Sequence, residues 1–347
     1  MQVSEFDFEL PSALIAQEPH PNRVAARLLY LHRESGAIEH HVVSELPHLL
    51  QAGDVLVVNN TRVFPARLLG RRLPGGGRVE CLLIRKLEDD LWEALMHPGQ
   101  RLGPGAQVVF EGSRTLRGEV LERQFFGRRV VRLWSEDGSG VDQAVDAIGH
   151  VPLPPYIKRA DRAEDRDRYQ TVFARARGSV AAPTAGLHLT RPLLSALGER
   201  GVTIVEITLH VGYGTFQPVR VERVEDHRLD AERYEIAEAT AALINNALDE
   251  RRRIIAVGTT TTRTLEAAVM AHGGRLQAGS GSTDLFIYPG FAFRVVGGLM
   301  TNFHLPQSSL LMLVGAFAGR ERVLAAYRAA VAERYRFYSY GDAMLIL

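Results

Sequence analysis

The spacing of apolar residues divides the chain into two textures. Near the start, RLLYLH and the VLVV run at Val55–Val58 are short, β-branched or leucine-rich runs that predict buried strands. Between them VVSELPHLL predicts a helix. The VLVV run stops at Asn59-Asn60-Thr61-Arg62, four polar residues where a strand should leave the core. From about Phe64 to about Ser135 the texture changes to short alternating segments: ARLLGRR, RVECLLIRK, LWEALMH, AQVVFEG, LRGEVLER and RRVVRLW. Glycine-rich or charged turns separate them, which predicts a small antiparallel barrel or sandwich.

A helical stretch, GSGVDQAVDAIGHV, and the proline segment VPLPPYI then mark a crossing between domains, since so many prolines exclude a helix interior. The remainder alternates strand and helix. LTRPLLSALGERG predicts a helix with Pro192 in its first turn, VTIVEITLHV a strand, YEIAEATAALINNALDERRR an amphipathic helix, and RIIAVGTTTTRTLEAAVMAHGG a strand, turn and helix. DLFIYPG and FRVVGGLMTNF are expected as strands, SSLLMLVGAFAGRERVLAAYRAAVAERY as helical, and AMLIL as a closing strand. The expected fold class is α/β: a discontinuous mixed α/β domain (residues 1–62 and 150–347) carrying an inserted small antiparallel β-barrel domain (63–149).

Composition narrows the field. At 347 residues the chain is long enough for two ordinary domains or for one large domain with an insertion, and its 46% hydrophobic and 23% charged residues match soluble globular proteins. No apolar run of about 18 residues predicts a membrane span. The start, MQVSEFDFEL, lacks a basic-then-apolar leader. A cytoplasmic protein is therefore expected. The single cysteine, Cys81, rules out an intrachain disulfide and cysteine-built zinc sites. Twelve histidines without H-x-x-x-H or H-E-x-x-H spacing give no ligand pattern, so no metal is expected. Net charge is +1, but Arg62–Ser135 holds 14 basic and 8 acidic residues, a local excess of about +6. Such asymmetry suits a phosphate-binding module, or a solvated surface in a chain that prefers arginine.

Four clusters carry candidate chemistry. In IIAVGTTTTRTLEAA a strand meets Gly258 and then Thr259, Thr260, Thr261 and Thr262 at a helix start. Free N–H groups there favour an anion, and Arg263 adds a positive fork. The alternative is a plain threonine cap. TLHVGYGTFQPV places His210 at a strand end before Gly212, Gly214 and Thr215, where glycines permit close approach of a ligand and His210 can move a proton. The alternative is a bend with a hydrogen-bonded histidine. GSVAAPTAGLHLT offers Thr184 and His188 in a small-residue loop. TNFHLP supplies Asn302 and His304 before a helix, and STDLFIYPG supplies Asp284, for which a turn role competes. A P-loop and a G-x-S-x-G elbow are missing, which weakens NTPase and hydrolase readings.

Ten segments in order, VLVVNNTRVFPARL, GHVPLPPYI, YQTVFA, GSVAAPTAGLHLT, HVGYGTFQPV, IIAVGTTTTRTLE, TDLFIYPG, TNFHLP, LLMLVGAF and YRFYSYGDAMLI, resemble successive blocks of the S-adenosylmethionine:tRNA ribosyltransferase-isomerase family of queuosine biosynthesis. The resemblance implies S-adenosylmethionine as co-substrate and ribosyl donor. It implies 7-aminomethyl-7-deazaguanine at the tRNA wobble position as acceptor. The products would be epoxyqueuosine-tRNA, adenine and methionine. On that basis His210 and His304 are the expected base and acid, with Asp284 holding the amine or orienting a histidine. Thr184, His188, Gly212, Gly214, Thr215, Thr259–Thr262, Arg263 and Asn302 are expected to contact substrate, and Arg62, Arg128 and Arg129 to grip tRNA. No stable protein partner and no membrane are expected. One departure stands out: the family pattern E-H-x-M-H-x-E reads DHRLDAE here, so Asp230 occupies the second histidine's place. Two other readings compete. An RNA methyltransferase would need a glycine-rich loop after the first strand, which VLVVNNTRV is not. A non-enzymatic tRNA-binding protein would leave the polar clusters of the α/β half unexplained.

Overall fold

A computed structural model gives the fold, described for residues 1–214 and 218–347. A nine-stranded mixed sheet forms the α/β part. Its order is Gly279–Thr283, Glu232–Ile236, Thr203–Leu209, Val55–Asn59, Ile254–Val257, Gly298–Asn302, Ala343–Ile346, Arg27–Leu31 and Ile38–Val42. The four strands from Thr203–Leu209 to Gly298–Asn302 run parallel, so their C-terminal ends share one edge. That edge holds the site described below.

The VLVV run is continuous because the sheet is covered on both faces. Val55 and Val57 enter one core, with Ile254, Ala256 and Phe303, while Leu56 and Val58 enter the other, with Ile255, Val257 and Leu345. The six alternating segments close into an antiparallel barrel: Arg128–Ser135, Leu91–His97, Arg78–Lys86, Arg67–Leu73, Gln107–Glu111 and Thr115–Arg123 in spatial order. Every second residue, such as Val79, Cys81 and Leu83, or Trp92, Ala94 and Met96, points into a separate core. The mixed α/β part with a closed antiparallel barrel is the expected fold class. No helix among the described residues is long and apolar enough to cross a membrane.

Four element expectations change. YEI belongs to a strand, Glu232–Ile236, and the helix starts only at Glu238. That strand alternates buried and exposed residues, and the apolar residues that follow hide its end. DLFIYPG is not a strand: it follows the polar strand Gly279–Thr283 and packs irregularly on the core, with Ile287 buried. Of FRVVGGLMTNF only Gly298–Asn302 is strand. The long helical stretch is two helices, Ser309–Ala318 and Arg320–Ala332, broken at Gly319.

Candidate functional site

Two cavities adjoin along the C-terminal edge of the parallel strands, and Val211 and Leu310 line both. The smaller, of about 540 Å³, brings together Thr184, Thr259, Thr260, Asn302 and His304 with Tyr156, Tyr338 and Ser339. The larger, of about 1630 Å³, opens between the sheet edge and the barrel wall. Its lining includes His210, Gly212, Gly214, Asp230 and Arg263 from the α/β part, and Arg85, Glu93 and Arg128 from the barrel. Much of that space is open to solvent, and the enclosed part, about 630 Å³, falls within the roughly 300–1,000 Å³ typical of ligand pockets.

The first cavity ends on the N-terminus of the helix Thr259–Ala271. Gly258 sits at φ +94°, a left-handed turn that glycine adopts without strain, and the first turn's N–H groups lack intrahelical acceptors. The four threonines divide. Thr261 and Thr262 are fully buried, and their hydroxyls donate back to the carbonyls of Val257 (2.8 Å) and Gly258 (3.2 Å). They hold the helix start rather than a ligand. Thr259 and Thr260 face the cavity, and the Thr260 hydroxyl is buried with no hydrogen-bond partner. A buried polar group left unpaired costs about 1–3 kcal/mol, so a ligand that supplies the partner gains that amount.

Opposite lies a relay. His188 accepts at Nε2 from the Asn302 side-chain amide (3.0 Å), and Asn302 Oδ1 accepts from the Thr184 hydroxyl (2.9 Å). Burial first, then Arg23, pushes the His188 imidazolium down to about 4, so the ring stays a neutral acceptor. His188 is thus one step removed from the cavity. His304 lines it, with Nε2 2.9 Å from the Thr301 hydroxyl, but burial pushes its imidazolium down to about 3. Burial thus favours the neutral ring, with one N–H donor and one acceptor nitrogen.

His210 is placed by three features that the sequence did not single out together. Asn59 accepts N–H bonds from Thr61 and Leu209 on one side-chain oxygen, which turns the chain and brings Thr61 under the ring. The Thr61 hydroxyl donates to the Ala176 carbonyl (3.4 Å) and accepts from His210 Nδ1 at 2.9 Å. That assignment leaves Nε2 as a bare lone pair. Gly178 lies flat against the imidazole, and a Cβ there would sit 2.8 Å from the ring. Burial first, then Arg233, lowers the imidazolium pKa, so the free base predominates near neutrality.

Arg263 is not a free anion fork. It is buried, donates from Nη1 to Glu232 (2.6 Å) and from Nε to the Leu285 carbonyl (2.8 Å), and Glu232 in turn accepts the Gly212 N–H (2.8 Å). Arg263 thus fixes the backbone after His210. Asp284 is exposed and lines neither cavity, because the alternation that buries Thr283 at the end of the preceding strand turns the next side chain outward. Thr215 lies outside the described residues.

The expected RNA contacts also divide. Arg62 is exposed on the short strand Thr61–Val63. Arg128 pairs with Glu93 within the barrel (2.9 Å) and pins the barrel to the α/β part through Asp230. Asp230 therefore uses its carboxylate in an ion pair where the family has a histidine. Arg129 is 1% exposed and gives three N–H bonds to the carbonyls of Leu102, Arg128 and Gly99, each 2.7 Å. It cannot reach a phosphate. Tyr156 and Tyr338, missed at the sequence level, stand edge to face at 3.8 Å on the wall of the first cavity. The VPLPPYI and YRFYSYGD motifs were the available signals.

The chain is similar to known proteins along its whole length. Residues 3–346 match the family described as Queuosine biosynthesis protein. The S-adenosylmethionine:tRNA ribosyltransferase-isomerase of Desulfitobacterium hafniense is 52% identical over 348 residues, covering 100% of both chains. That of Moorella thermoacetica is 52% identical over 347 residues, again covering 100% of both. A solved structure of S-adenosylmethionine tRNA ribosyltransferase from Thermotoga maritima is 39% identical with a TM-score of 0.57, over 99% of this chain and 100% of that one. The chain belongs to the queuosine biosynthesis protein family.

Proposed function

We propose that this chain is an S-adenosylmethionine:tRNA ribosyltransferase-isomerase. It moves the ribosyl part of S-adenosylmethionine onto 7-aminomethyl-7-deazaguanine at the tRNA wobble position and isomerises it, releasing adenine and methionine. The observation that carries the reading is the pair of adjoining cavities. One is small and ends in a helix N-terminus with an unpartnered hydroxyl. The other is large and faces the arginine-rich barrel. A small charged donor and a base on a bulky polyanion need that division.

In this reading residues 1–62 and 150–347 do the chemistry and 63–149 hold the tRNA. The first turn of Thr259–Ala271 and the Thr260 hydroxyl take the methionine carboxylate. Thr184 and Asn302, held by His188, fix polar edges of the donor, and Tyr156 and Tyr338 offer ring surface to adenine. The sulfonium acidifies the neighbouring ribose C5′ protons, and His210 Nε2 accepts one of them. His304 serves as a neutral hydrogen-bonding partner. Gly212 and Gly214 let the acceptor base approach the backbone.

The deciding experiment is product analysis with labelled S-adenosylmethionine and tRNA carrying the aminomethyl base. Adenine and methionine in equal amounts are expected. S-adenosylhomocysteine would instead indicate methyl transfer, and tRNA binding without donor turnover would leave only a binding protein.

A further inference from the structure

Resting on that reading of the chain as a tRNA-modifying enzyme, we infer that one end of the barrel, built by Phe125, Phe126 and four unpaired arginines, receives the unpaired bases and phosphates flanking the base being modified. Strand register locates this end. Arg71 pairs with Arg78, Leu73 with Gln107, Glu80 with His97 and Arg129 with Arg123. The turn 74–77, the loop 98–106 and the hairpin 124–127 therefore emerge together.

Charge is sorted along the barrel. Away from this end, arginines are matched by carboxylates: Arg85 with Glu93, Arg114 with Asp137, Arg117 with Glu136, and Arg132 with Asp90, while nearer to it Arg71 pairs with Glu111. At this end Arg72, Arg78, Arg101 and Arg123 have no ion-pair partner among the described residues, against the exposed Glu122 on the same strand ends. Phe125 and Phe126 crown the hairpin at 86% and 88% exposure. Phe126 adopts φ +56°, a conformation unfavourable for a bulky side chain. Two adjacent bare aromatic rings among unneutralised arginines suit stacked bases on a phosphate backbone. An apolar protein partner would gain nothing from the arginines.

Position supports the same occupant. Gly127 and Arg128 follow directly, and Arg128 lines the large cavity and bonds Asp230 across it. The hairpin tip thus lies two residues, at most about 7 Å of chain, from the cavity rim. An enzyme that works on a base takes it out of the stack, which leaves its neighbours without stacking partners at the rim where the rings stand.

The test replaces both rings by Phe125→Ser and Phe126→Ser and follows binding of the anticodon stem-loop alongside steady-state kinetics. The expected result is a Kd and a KM for tRNA raised about tenfold or more, an unchanged KM for S-adenosylmethionine and an unchanged melting temperature. A Phe126→Trp variant should bind as the parent does, and its fluorescence should be quenched on saturation with RNA. Unaltered Kd in the double serine variant, while the parent still binds the stem-loop, overturns the inference and leaves the proposed function standing. A parent that does not bind the stem-loop removes both. Loss of self-association in the serine variant, with RNA affinity intact, would assign the tip to a second copy of the chain and also overturn it.

Discussion

The α/β part and the barrel are both rich in arginine and polar side chains, and they use them in opposite ways. At the sheet edge nearly every polar group is buried and engaged: Arg263 with Glu232, Asn302 with His188 and Thr184, His210 with Thr61. At the free end of the barrel Arg78, Arg101 and Arg123 stand exposed. The first arrangement is preorganised for a small ligand whose atoms must be placed closely. The second is adaptable and screened by solvent, as contacts to a flexible polyanion are. Residue type alone therefore does not decide what a side chain does. Arg129 and Arg123 are cross-strand neighbours, and only one of them faces water.

The contrast is tested most severely at Glu232. Replacing it by Ala leaves Arg263 buried without its carboxylate, which should cost about 3–5 kcal/mol in denaturant-induced unfolding. The exposed pair partner Asp230, changed to Asn, should cost less than about 1 kcal/mol. Similar losses for both would mean that the buried edge is no more committed than the surface.

Chemistry at the edge is the next test. His210→Ala should lower kcat about a hundredfold or more, with KM for S-adenosylmethionine little changed. Gly178→Ala should reproduce part of that loss without touching a reacting group, since its Cβ would displace the ring. A folded His210→Ala enzyme with full turnover would remove the ring from the proton transfer.

Acid sensitivity should also belong to the α/β part. His188 and His304 have imidazolium pKa values depressed by burial to about 4 and about 3, below the unfolded value near 6.5. Between those values the unfolded chain binds protons that the folded chain does not. Stability is therefore full above about 6.5 and falls as pH drops toward 4, at up to about 1.4 kcal/mol per pH unit for each ring. His188→Gln, which keeps an acceptor for Asn302, should flatten that fall in urea titrations at pH 7, 5.5 and 4.5. An identical slope would mean that His188 titrates normally.

Legibility from sequence followed the same divide. All six barrel strands were readable, because one solvated face and one packed face impose a period of two. The buried runs at Val55 and Ile254 were readable for the opposite reason, being covered on both sides. The strand Gly279–Thr283, sequence GSGST, carries almost no apolar signal, and its pairing with Glu232–Ile236 depends on contacts some 45 residues apart. Among the site residues, the clustering of Thr184, Thr260, Asn302 and His304 was visible as motifs at strand ends. The engagement of Arg263 was not, since its partner lies 31 positions away. Nor could spacing reveal that Thr261 and Thr262 turn back onto their own helix.

The smallest expected effect separates the neighbouring arginines. Arg123→Ala removes one exposed charge from the barrel end, and removing one phosphate neighbour should reduce the slope of log K against log salt by about 0.7 to 0.9. Melting should be unchanged, because no hydrogen bond holds that guanidinium among the described residues. Arg129→Ala should do the reverse. It strips the Leu102 and Gly99 carbonyls of their donors and leaves the Arg128 carbonyl only the Gln124 N–H, so the barrel loses stability while the salt slope stays where it was. Both slopes must be measured with the same RNA from about 50 to 200 mM salt, where binding by several phosphate contacts changes steeply. If Arg129→Ala flattens the slope and Arg123→Ala does not, the exposed end is not where the phosphates sit, and the division between a committed edge and a free barrel end fails at the residues that define it most sharply.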